Sequence, residues 1–174
     1  MEGIDYKTQS KSPVIKYIYY SIIALIFIII HLTLLNLISF YELAPDLLLI
    51  LCVWIAINEG QFKAMFIGFA IGFIFDLVSF DVVGTNALSK TIVCFIAGFY
   101  YKEGKEMQII GSYKFLMIIL LSSIVNNILY TIFYIKPSDI GFFSFFFRYG
   151  FLSAIYTTCI SLAIVAWKMP RKRI

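Results

Sequence analysis

The sequence predicts an all-α polytopic membrane protein with six transmembrane helices. Three observations carry that prediction. Of the 174 residues, 61% are hydrophobic and 14% charged, with a mean hydropathy of +0.93. Long apolar runs recur along the whole chain. The basic residues fall almost entirely on one side of those runs. A soluble domain must turn much of its surface to water, whereas lipid lets apolar residues face outward. The net charge of +4 therefore reads as membrane topology and not as a nucleic-acid footprint.

A span needs roughly 20 apolar residues. The first run is Ile18–Leu37, too long for the apolar core of a signal peptide and without a small-x-small exit, so it is expected to remain as an anchor. Leu43–Ile57 is the second and the shortest. Phe62–Phe80, Val82–Tyr101, Phe115–Ile135 and Phe147–Trp167 complete the six. Turn chemistry separates them: Ala44-Pro45-Asp46, Asn58-Glu59-Gly60, Gly84, Lys102-Glu103-Gly104 and Lys136-Pro137-Ser138. The short second run leaves open a re-entrant hairpin with the third, giving four full spans. No internal repeat or soluble segment of domain size interrupts the pattern, so residues 1–174 read as a single transmembrane domain.

Orientation follows from the lysines and arginines. With six spans, one side holds Lys7, Lys11, Lys16, Lys63, Lys102, Lys105, Lys114, Lys168, Arg171, Lys172 and Arg173. The other holds Lys136 and Arg148, and Lys90 falls inside a span. A bias of 11 to 2 places both termini in the cytoplasm. The basic tail from Lys168 to Arg173 is expected to meet anionic lipid. The Phe-rich run Phe142–Phe147 before Arg148 reads as an interfacial belt with a snorkelling arginine.

Polar groups inside the runs need a reason, since a charge at mid-bilayer costs roughly 2.5–3.5 kcal/mol. Asp76 near the end of the third run and Lys90 within the fourth lie at similar depth on neighbouring antiparallel helices. They are expected to form an ion pair, with a proton or substrate relay as the functional alternative. Ala64, Gly68, Gly72 and Asp76 repeat every four residues and form one stripe. Small residues at that spacing let another helix approach closely, either within the chain or from a partner. Asn36, Asn126 and Asn127 read as core groups bonding between helices, and His31, with no carboxylate three or four residues away, as a satisfied core residue and not a ligand or proton carrier. Cys52, Cys94 and Cys159 are odd in number and dispersed in apolar runs, so they read as small core residues, with no metal or disulfide spacing. No cofactor is implied.

The segment from Ala44 to Tyr101 carries more. It opens on Pro45-Asp46-Leu47, continues through Gly68 and Gly72 to Asp76-Leu77, and turns at Gly84 into Asn86-Ala87-Leu88, with Gly98 closing the next helix. This order and spacing resembles MreD, the rod shape-determining membrane protein family of bacteria. About a third of the chain carries the motif, and the remainder matches in hydrophobic layout. The resemblance implies a non-enzymatic scaffold of the inner-membrane elongation machinery for peptidoglycan synthesis. Its implied partners are MreC, the glycan polymerase RodA with its transpeptidase, and MreB indirectly. The family is also similar in fold to the substrate-binding subunits of energy-coupling-factor vitamin transporters, which supplies the alternative reading. Those subunits carry a small-residue stripe on the first helix, whereas Ile22–Leu37 here is bulky and holds Ala24 alone. The chain has no His-Glu-x-x-His, paired-Glu or Gly-x-Ser-x-Gly pattern that would point to an intramembrane enzyme.

Overall fold

The computed structural model describes residues 13–38, 45–80, 82–134 and 150–168. Helix accounts for 87% of the structure, and the described residues contain no strand. The helices are α1 (Pro13–Ile38), α2 (Leu47–Glu59), α3 (Gln61–Ser79), α4 (Thr85–Gly98), α5 (Glu106–Ile110), α6 (Tyr113–Tyr134) and α7 (Leu152–Lys168). Three contain apolar stretches long enough to cross a membrane: Val14–Thr33, Gln61–Ser79 and Tyr113–Phe133. The protein is thus an all-α membrane protein. The second run is expected to be short, and α2 is; the fourth, expected over Val82–Tyr101, is shorter than that. α2 has 13 residues and α4 has 14, about 20 Å each at 1.5 Å per residue. Lys136, the Phe142–Phe147 belt, Arg148 and the tail beyond Lys168 lie outside the described residues, as does the side chain of Asn36.

The short α2 is interior. α2 is apolar all round, and Leu48 to Val53 and Ile55 to Ile57 are all buried. A helix with no polar face has to be enclosed, and α2 is packed by α1, α3, α4 and α6. Its ends meet protein, so its length need not match the bilayer. α1 shows the opposite pattern. Val14, Ile15, Ile18, Ile22, Leu25 and Ile29 are about half exposed or more, as lipid-facing residues should be.

Chain direction alternates. At one end of the bundle, Lys16 at the start of α1 pairs with Glu59 at the end of α2 at 2.5 Å. Tyr20 donates to the same carboxylate at 2.7 Å. Gly60, with φ +82°, turns the chain directly from α2 into α3, against the ring of Tyr101. Gln61 donates to the Phe95 carbonyl at 3.1 Å, tying the start of α3 to the end of α4.

α3 and α4 form the tightest seam, and it consumes the small-residue stripe. A Cβ built on Gly72 would stand 2.4 Å from the Asn86 carbonyl oxygen and 2.7 Å from the Ala87 Cα. One on Gly68 would meet Cys94 Sγ at 2.6 Å and the Lys90 carbonyl oxygen at 3.0 Å. Ala64 is fully buried on the same line. Gly98 repeats the device from α4, with Gln61 Cα 2.5 Å from its missing Cβ. Of the two destinations the stripe allowed, another chain or the same one, the glycines face α4 of the same chain.

Backbone atoms cannot move aside as flexible side chains do. Gly72→Ala should therefore lower stability by roughly 1–3 kcal/mol through overpacking, read as a lower melting temperature of the detergent-solubilised protein. Gly104→Ala gives the comparison. Gly104 has φ +76° but open space around an added Cβ, so only the left-handed backbone penalises it, by about 1–2 kcal/mol or less. Parent-like melting of Gly72→Ala would show that α3 and α4 do not approach there.

Candidate functional site: a polar core between the helices

Two aspartates organise the polar interior, and each sits at the N-terminus of a short helix. The first N–H groups of a helix have no intrahelical partner and carry the positive end of its dipole. Inside an apolar slab, those groups need an acceptor. Asp46 serves α2 as its N-cap, its Oδ1 accepting from the Leu49 N–H at 2.8 Å. Asp76 serves α4 from across the seam. Its Oδ2 accepts from the backbone N–H groups of Gly84 at 2.9 Å and Ala87 at 3.2 Å. Its Oδ1 accepts from the Asn86 N–H at 3.1 Å and the Asn86 side-chain amide at 2.9 Å. Gly84, with φ +100°, sets the turn that aims these donors at the carboxylate. Asp76 is fully buried and so receives four hydrogen bonds.

The expected Asp76–Lys90 ion pair is not what forms. Lys90, 1% exposed, donates its ammonium to Asp46 Oδ2 and to Asn126 Oδ1 at 3.2 Å. Asn126 closes the triangle, its Nδ2 donating to Asp46 Oδ2 at 3.3 Å. The reason lies in where α4 begins. It starts at Thr85, so Asp76 lies level with its first turn and takes the orphan amides there. Those donors are fixed by the backbone and cost no side-chain ordering. Lys90 lies more than a turn further in, with its backbone against α3 at Gly68 and its side chain turned to α2 and α6.

Other groups extend the core. The Asp46 N–H donates to Thr157 Oγ1 on α7 at 3.1 Å, and the Thr157 hydroxyl donates to the Ser153 carbonyl at 2.9 Å. Asn127 donates to the Gly150 carbonyl at 2.8 Å, joining α6 to the start of α7. His31 on α1 stacks edge-on against Phe75, ring centroids 4.9 Å apart. Among the described residues, the buried hydroxyls of Ser89 and Ser122 find no hydrogen-bond partner. Cys94 makes a long Sγ contact of 3.7 Å to the Cys52 carbonyl, and both are buried free thiols, while Cys159 is exposed.

Sequence reasoning singled out Asp76, Lys90 and Asn126 as polar groups needing partners. It read Asp46 as turn chemistry and as part of a family motif, and so missed it as the partner of Lys90. The signal available was an aspartate at the N-cap position immediately before an apolar run, a second carboxylate that could reach a lysine inside the bundle.

These features define a class: a helical membrane protein whose interior polar groups are spent largely on each other and on helix ends. Within that class, the family model described as rod shape-determining protein MreD matches residues 13–169. The chain belongs to the MreD family and to the rod-shape system that the family serves. Comparison with curated proteins and with solved structures returns no match.

The triangle makes a specific demand. Removing one charge leaves the other buried and unpaired, which costs roughly 3–5 kcal/mol, whereas removing both can be near neutral. Lys90→Met alone should therefore melt far below the parent, and Asp46→Asn with Lys90→Met should recover most of the loss, since Asn still caps α2. A cycle of Asp76→Asn with Lys90→Met should show a smaller coupling than the Asp46–Lys90 cycle. A larger coupling to Asp76 would reverse the assignment.

Proposed function

We propose that this protein is a non-enzymatic scaffold of the bacterial elongation complex, a multi-pass inner-membrane protein that binds MreC. RodA with its transpeptidase, and MreB indirectly, complete the assembly. Membership of the MreD family over residues 13–169 carries this reading. The polar core supports it. Asp46, Asp76, Lys90 and Asn126, the groups with most chemical potential, are engaged in holding helices together. With the α3 stripe facing α4, the partner contact falls to the outward faces of the helices. There, association in lipid depends on van der Waals fit and interhelical hydrogen bonds.

In this reading α1, α2, α3, α4, α6 and α7 are six crossings of one domain, in an arrangement similar to the vitamin-binding subunits of energy-coupling-factor transporters, and α5 lies along the surface. The charge distribution supports cytoplasmic termini. Lys16, Lys63, Lys102, Lys105 and Lys114 all sit at the end of the bundle where α2 ends and α3 begins. At the other end, the described residues hold Asp46 and Asp76, with Lys90 buried beside Asp46. Basic residues mark the cytoplasmic side.

Two measurements test these statements. In a cysteine-free background, single cysteines at positions 63 and 105 should label only from the cytoplasmic side and one at 136 only from outside. Labelling of position 63 from outside would overturn the topology. Affinity purification from a gentle detergent extract should recover MreC in near-stoichiometric amount. Recovery of an ATPase module, or of a tightly bound vitamin, would replace the scaffold by the transporter subunit.

A further inference from the structure

An apolar groove of about 330 Å³ runs between the outward faces of α1 and α3. Tyr17, Ala24 and Ile28 line one wall, and Phe66, Ala70 and Ile74 the other. From Tyr17 to Ile28 the groove is about 17 Å long, at 1.5 Å per residue. An apolar cavity of roughly 150 Å³ holds one benzene molecule. On that scale the groove holds about a dozen carbon atoms in a file, the dimensions of a stretch of fatty acyl chain.

The charge at one mouth selects the kind of lipid. Lys63 stands three residues before Phe66 and seven before Ala70, on the same face of α3 that lines the groove. It is exposed and, among the described residues, is in no ion pair. Lys16 flanks the mouth from α1, four residues before Tyr20, but its charge is answered by Glu59. The local surplus is therefore positive and rests on Lys63. Helix side chains tilt toward the N-terminus. Both helices start at this end, so both ammonium groups project toward the same membrane surface. The remainder of the groove is almost wholly apolar. One cationic end and an apolar trough match the polarity of an anionic phospholipid lying along the helices.

We propose that this groove is a binding site for an anionic phospholipid, with one acyl chain between α1 and α3 and the phosphate at Lys63. The site is separate from the polar core and does not depend on which partners the scaffold holds.

Trp54 can report on it. Its ring lies 5.6 Å from that of Tyr20, edge to face, and Tyr20 borders the groove. The chain has two tryptophans, so Trp167→Phe leaves Trp54 as the sole emitter. The full-length protein is placed in phosphatidylcholine vesicles carrying either chain-brominated phosphatidylglycerol or chain-brominated phosphatidylcholine. Brominated phosphatidylglycerol should quench Trp54 at a several-fold lower mole fraction. Lys63→Gln should weaken that preference about fivefold, the effect of one basic residue at an anionic lipid surface. Ala70→Phe, at an exposed position, should fill the trough and reduce quenching by both lipids while the protein stays monodisperse. Equal quenching by the two lipids in the parent would overturn the proposal, as would a preference unchanged in Lys63→Gln. Absence of quenching by either lipid would also overturn it, since a second copy or a partner helix would then cover the groove. If Ala70→Phe does not fold, the Lys63→Gln comparison decides alone.

Discussion

The pair of buried Lys90 and part-buried Asp46 is the constraint around which the other polar contacts are arranged. In a low-dielectric interior neither charge is tolerable alone, and together they are tolerable only when their remaining hydrogen-bonding capacity is met. Asn126 meets part of it from α6. The α2 helix meets another part, because the Leu49 N–H of its first turn donates to the same carboxylate. Three helices distant in sequence are thereby fixed in rotation and depth. Thr157 ties α7 to the backbone of Asp46, so the arrangement is a joint and not an isolated contact.

Asp76 repeats half of this solution. Among the described residues no cation pairs with it, and it accepts four hydrogen bonds from the start of α4. Two helices of about 20 Å can thus begin within the protein, each on a carboxylate. The glycine seam follows from the same placement. For Asp76 to reach the first turn of α4, the two backbones must approach within the space that Gly68 and Gly72 leave open. Packing and capping are therefore two aspects of one contact, and both lie within a single chain. What remains for other molecules is the outer surface: lipid-facing side chains, the groove beside α1, and the basic end.

Much of this was legible in the sequence, and the exceptions have one physical origin. The apolar runs located every long helix, because lipid exposure forces about 20 residues of uniform character and leaves an obvious mark. Asp76, Lys90 and Asn126 stood out because polar groups in such runs are costly. The Asp76–Lys90 pairing was inferred from adjacency and depth, and it failed because a nearer set of donors, the free amides of α4, carries no side-chain signature. Asp46 read as the end of a turn, since nothing local distinguishes a turn aspartate at the membrane surface from one folded inward. The second run looked short for a span, although the length of α2 reflects enclosure by other helices; the fourth run reads as a full span, whereas α4 begins at Thr85 and ends at Gly98.

By itself the sequence determined that this chain is helical, that it belongs in a membrane, and that its Pro45-to-Gly98 pattern is similar to that of the MreD family. Those properties depend on composition and short-range spacing, to which each residue contributes separately. Only the tertiary structure decided that Lys90 meets Asp46 across 44 residues, that Asp76 caps a neighbouring helix, and that the small-residue stripe faces α4. Such choices depend on helix rotation and on where each helix begins. Apolar faces of equal hydrophobicity leave both undetermined until the helices are packed together.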